Sequence, residues 1–179
     1  GIRFNVDFLP LPEYLNFFSA FSYILSGLSL LTLTRPRLSG SGRRVAMILA
    51  GLVSFIAAVS TFGFLFGFNL HVAREFGGPS LNGWEEPRHF LLQPLTAFAF
   101  LFAGLSLMLH SRPRLSKNYH IANFIVSTLV ATLGALGLVS AVSPRLFGFG
   151  HQGLIAMTDS SSAAFLLMGV VLVIRTFKR

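Results

Sequence analysis

A chain of 179 residues that is 53% hydrophobic and only 11% charged, with a mean hydropathy of +0.70, departs far from soluble domains, which are about one-quarter charged. The absence of cysteine excludes disulfides, thiolate metal sites and cysteine nucleophiles. A net charge of +8 is compatible with a nucleic-acid partner by sign alone, but the placement of the charges argues for no nucleic acid.

Five apolar runs have the length of about 20 residues that crosses roughly 30 Å of hydrocarbon. They are predicted at about 15–34, 45–69, 91–110, 121–143 and 153–174, with no Asp, Glu, Lys or Arg inside apart from Asp159 near the start of the fifth. Helices are expected, because an open strand leaves its backbone groups unsatisfied in lipid and barrel strands alternate apolar with polar residues. The expected fold is therefore all-α: a single integral membrane domain over 1–179, a polytopic bundle of five transmembrane helices.

The first two spans are joined by a segment with Arg35, Arg37, Arg43 and Arg44; the third and fourth by one with Arg112, Arg114 and Lys117; and Arg175, Lys178 and Arg179 follow the fifth. The opposite side holds Arg3, Arg74, Arg88, Arg145 and all six acids. Ten basic residues against four is a positive-inside pattern, which predicts a bacterial inner-membrane protein with a cytoplasmic C-terminus. Arg35, Arg37, Arg112 and Arg114 are the expected cytoplasmic contacts with anionic lipid headgroups or a partner. Five spans and an inside C-terminus leave Gly1 outside with no initiator Met or signal peptide, so a further helix upstream is expected.

The chain matches itself at an offset of 77 residues. Ala20-Phe21, Gly27-Leu28-Ser29-Leu30 and Arg35-Pro36-Arg37-Leu38-Ser39 recur as Ala97-Phe98, Gly104-Leu105-Ser106-Leu107 and Arg112-Pro113-Arg114-Leu115-Ser116, eleven identities in twenty positions. Leu65-Phe66-Gly67-Phe68 recurs as Leu146-Phe147-Gly148-Phe149, and Phe165 and Gly169 take the places of Phe100 and Gly104. The expectation is 2.5 copies of a parallel two-helix repeat, with units at about 8–68 and 85–149 and a half unit at 150–179. Pro36 and Pro113 disfavour helix at the residue before them and are expected to end the first and third spans. Thr158 or Asp159 is the expected cap of the fifth.

Gly51, Ala57, Ser60 and Gly63 in the second span, and Thr128, Ala131, Thr132, Ala135 and Gly137 in the fourth, are candidate packing positions. Gly27, Gly104 and Gly169 lie at equivalent depths, which suggests related neighbours for the three odd-numbered spans. The five His residues fall at span ends, His71, His89 and His151 on one side and His110 and His120 on the other, where solvated interfacial side chains are expected. Paired haem ligands need facing His at one depth; His71, His89 and His151 come nearest. The longest polar stretch, about 70–90, makes His71, Trp84, Glu85, Glu86 and His89, with His151, the candidate ligand-binding residues of the outer side, against a plainer role as an interfacial helix with a Trp anchor. No cofactor is predicted, although the Phe-rich faces leave room for a bound lipid, quinone, pigment or haem. The lack of an ionisable residue in the interior of any span, away from its ends, and of a catalytic motif argues against a pump or an enzyme.

The segment Thr158-Asp159-Ser160-Ser161-Ser162-Ala163-Ala164-Phe165-Leu166-Leu167-Met168-Gly169, a helix start followed by a span that ends in Arg, resembles the N-terminal multi-helix sensor regions of bacterial histidine kinases and diguanylate cyclases. The resemblance covers nearly the whole chain and carries over no catalytic residue. It implies a non-catalytic sensory or anchoring module that passes a signal to a cytoplasmic partner or signalling domain. The alternative is an accessory subunit of a larger respiratory or photosynthetic membrane complex, whose partners lie within the membrane.

Overall fold

A computed structural model describes residues 17–35, 39–66, 92, 94–112, 117–142, 157 and 159–178, with side chains at 17, 141 and 142 outside the description. Within them the chain forms five helices and no strand: α1 (Phe17–Thr34), α2 (Gly40–Phe66), α3 (Pro94–Ser111), α4 (Lys117–Val142) and α5 (Asp159–Phe177). α2 to α5 are long and apolar enough to cross a membrane; the apolar stretch of α1, Phe18–Thr34, is shorter. These helices mark a membrane protein.

The helix ends have local causes. α1 and α3 stop just before Pro36 and Pro113, and each closes with a short bond three residues back, Arg35 N to the Thr32 carbonyl (3.5 Å) and Arg112 N to the Leu109 carbonyl (3.2 Å). Ser39 caps α2 by accepting from the Gly42 amide at 3.1 Å. Three helices run further than the expected spans, because Arg43, Arg44, Lys117 and Arg175 are themselves helical. Long basic side chains at a helix end reach water or headgroups without breaking the backbone ladder. All seven described basic residues (Arg35, Arg43, Arg44, Arg112, Lys117, Arg175, Lys178) lie at one end of the bundle, and the single described acid, Asp159, at the other.

α3 is the central helix, with Thr96, Ala99, Phe100, Ala103 and Leu107 among its buried residues. The α4–α5 and α2–α3 interfaces are the most extensive, and α1–α2 and α3–α4 are lighter. Three rings close the middle: Phe100 of α3 lies 4.7 Å from Tyr23 of α1 and 4.7 Å from Phe165 of α5, and Tyr23 lies 5.3 Å from Phe165. The edge-on geometry matches the aromatic quadrupole. Large apolar side chains face outward elsewhere, with Leu31 66%, Phe55 67% and Leu167 68% exposed.

The two heavy interfaces depend on glycine. A Cβ on Gly104 would stand 2.9 Å from the Ala50 carbonyl oxygen and 3.0 Å from the Ser54 nitrogen of α2. One on Gly169 would stand 2.6 Å from the Ala131 Cα of α4, and one on Gly134 would stand 2.7 Å from the Ser162 carbonyl oxygen of α5. Backbones in such contact gain van der Waals energy that lipid tails cannot match. Gly27, at the matching position of α1, meets nothing within 4 Å among the described residues.

Among the expected packing residues, Ala57, Ser60, Gly63 and Gly137 are buried, and Ala131 meets Gly169. Thr128 and Thr132 are corrections: both are exposed, and the Thr132 hydroxyl bonds its own helix at the Thr128 carbonyl, 2.9 Å away. That internal bond satisfies the hydroxyl without a neighbouring helix.

Replacing Gly134 by Val should destabilise the bundle by about 1–3 kcal/mol through overpacking against backbone, whereas Gly51→Ala, at a position with nothing within 4 Å, should be neutral or stabilising. Thermal unfolding in detergent distinguishes the two.

Candidate functional site

The described part of the bundle contains one extended buried polar network, at its basic end. α3 supplies Ser106 and His110, one turn apart; α4 supplies Asn123 and Ser127, again one turn apart; α5 supplies Thr176. The spacing of four residues places each pair on a single helix face. Ser106, His110, Asn123 and Ser127 are all at most 1% exposed.

The bonds form a closed set. The Ser106 hydroxyl donates to Asn123 Oδ1 at 3.0 Å and lies 2.8 Å from the Ser127 hydroxyl, which can donate to it. His110 Nδ1 lies 2.9 Å from the Ser106 carbonyl oxygen, an acceptor, and 3.0 Å from the Asn123 amide nitrogen, a donor. The same Asn123 nitrogen lies 3.2 Å from Nε2, so it donates to whichever ring nitrogen carries no proton. Thr176 donates to the Leu172 carbonyl at 3.0 Å and leaves its lone pairs toward the same amide at 3.5 Å. Hydrogen bonding among side chains of different helices is the condition for polar groups in an apolar bundle.

A second contact holds the same end. The guanidinium of Arg175 on α5 donates to the Leu33 carbonyl in the last turn of α1. That carbonyl lacks an intrahelical partner, and a cation beside the negative end of the helix dipole is favourable. α5 is thus gripped within two adjacent residues by all three of its neighbours: Arg175 to α1, and Thr176 to α3 and α4.

The expectation that His110 is a solvated interfacial side chain is overturned: its ring is fully buried and bonded between three helices. Its place at the end of an apolar run says nothing of which face it occupies, and its partner Asn123 lies one hairpin away. His120 is half-buried near the start of α4. Of the expected cytoplasmic contacts, Arg35 and Arg112 are exposed, and the Arg112 guanidinium stands 5.6 Å from the centre of the Tyr119 ring. Arg37 and Arg114 lie outside the described residues, as do the outer-side candidates His71, Trp84, Glu85, Glu86, His89 and His151. Among the described residues no three His, Asp or Glu side chains gather to hold a metal ion.

Comparison of the chain with protein-family models, curated proteins and solved structures returned no match.

Asn123→Leu removes both the acceptor of Ser106 and the donor to His110. It should cost about 1–2 kcal/mol, with a Ser106–Asn123 coupling of about 0.6 and at most about 1.7 kcal/mol in a double-mutant cycle. Thr132→Val, which touches no neighbouring helix, should leave the unfolding midpoint unchanged.

Proposed function

We propose that this chain is a non-catalytic integral membrane module of five transmembrane helices in two-helix repeats, and that it passes a signal along α5 to a cytoplasmic partner or domain. The repeat is supported by contacts that recur at the offset of 77 residues. Ser29 bonds the Ala46 carbonyl across the α1–α2 hairpin (3.0 Å), and Ser106 bonds Asn123 across α3–α4 (3.0 Å), each 17 residues apart. Gly104 meets Ser54 of the preceding helix, and Gly169 meets Ala131, the residue 77 positions after Ser54. Tyr23, Phe100 and Phe165, the residues of one repeat position, meet in the central aromatic contact.

The signalling role is carried by one observation: the grip on the last turn of α5, through Thr176 to His110 and Asn123 and through Arg175 to Leu33. A shift or rotation of α5 has to exchange these polar bonds for others, which gives the helix discrete positions rather than a continuum. A ligand or packing change that favours one position alters what α5 presents at the basic end. The positive-inside distribution makes that end cytoplasmic.

A second reading, an accessory subunit of a larger membrane complex, is favoured by one feature. Phe55, Phe62 and Phe66 share the outer face of α2, all exposed, with the last two stacked at 5.1 Å, a surface suited to helices, pigments or lipids.

With a reporter cyclase or kinase domain fused after α5, Asn123→Leu and Arg175→Ala should each change basal output several-fold, and Thr132→Val should not. Output that is the same in all three would remove the signalling role. Loss of the reporter's cytoplasmic exposure would overturn the orientation.

A further inference from the structure

The two heavy interfaces of the bundle follow one rule. A helix that runs toward the basic end presents a glycine to a small residue of the helix before it, Gly104 to Ala50 and Ser54 of α2, and Gly169 to Ala131 of α4. α1 runs the same way and carries Gly27 at the same position, with Ser29 turned to α2 as Ser106 is turned to α4. Among the described residues its glycine face is nevertheless open. None of them stands within 4 Å of a Cβ on Gly27, and Ile24, Leu28 and Leu31 around it are exposed. The counterparts of two of these in α3, Leu101 and Met108, are half-buried.

We infer that this face of α1 is the docking site for one further transmembrane helix, antiparallel to α1, with Ala, Ser or Gly opposite Gly27, supplied from outside the five described helices. The inference rests on the two-helix repeat proposed above. Two internal copies of the same interface state what covers such a face, and they fix both direction and residue size at the crossing. A second copy of this chain does not supply it, because the small-residue faces of its two antiparallel helices, α2 and α4, are already filled by α3 and α5. The gap lies beside α1 in the ring where α1, α3 and α5 meet through Tyr23, Phe100 and Phe165. α2 flanks the α1–α3 side and α4 the α3–α5 side, so a helix seated on Gly27 flanks the remaining α5–α1 side.

The test uses the full chain in lipid bilayers and a synthetic peptide of residues 40–66, which carries Ala50 and Ser54, as the probe helix. Because the chain has no cysteine, Thr34→Cys at the end of α1 takes a single donor dye, and the peptide N-terminus carries the acceptor. The expected result is saturable transfer at one peptide per chain. Gly27→Leu in the chain, or Ser54→Leu in the peptide, should weaken it by about tenfold or more. Transfer no greater than with a leucine–alanine peptide of equal length, or insensitivity to Gly27→Leu, would overturn the inference. So would efficient disulfide dimers of Gly27→Cys, which assign the face to a second copy. Gly104→Leu separates the two levels. If it lowers the unfolding temperature while the peptide fails to bind, the docking site alone is wrong; if it has no effect, the repeat interface itself is wrong.

Discussion

Leu, Ile and Phe point outward from this bundle, while Ser, Asn and His lie within it, and only a hydrocarbon solvent makes both choices favourable. In lipid an outward Leu costs nothing, so burial of apolar area does not drive the helices together as it does in water. Cohesion then comes from close backbone approach and from polar groups that find partners across helices. The glycine crossings of α2–α3 and α4–α5 supply the first, and the Ser106–His110–Asn123–Ser127–Thr176 network supplies the second.

The two devices divide the molecule along its length. The glycine crossings and the ring contact of Tyr23, Phe100 and Phe165 hold the middle, where contacts are apolar and geometrically rigid. The polar network and Arg175 hold the basic end, where bonds can be exchanged for others at modest cost. A rigid waist below an exchangeable grip is the arrangement that the proposed signalling role requires, since it would let α5 shift without dissolution of the bundle.

The helices were legible in the sequence because an apolar run of membrane length has few alternatives, and Pro36 and Pro113 marked two of the ends correctly. The boundaries were less so: Arg43, Arg44, Lys117 and Arg175 were set outside the spans by their charge, yet a flexible charged side chain does not interrupt a helix. The polar network was missed for a related reason. Asn123, Ser127 and Thr176 carry no charge to mark them within apolar runs, although Ser106 with His110 and Asn123 with Ser127, both at spacing four, stand out as polar pairs on apolar helices. Gly134 was not singled out, and Thr128 and Thr132 were, because residue size alone does not tell which side of a low-amphipathicity helix such as α4 meets protein.

A bundle built this way is stable only with its outer faces in contact with hydrocarbon. Spin labels at Leu31, Phe55 and Leu167 of the bilayer-reconstituted chain, with Asp159 as the reference at the water boundary, test this through collision with oxygen, which concentrates in lipid, and with a water-soluble nickel chelate. The three apolar positions should show high oxygen and low nickel accessibility, and Asp159 the reverse. Nickel accessibility at Leu31, Phe55 and Leu167 equal to that at Asp159 would contradict the account.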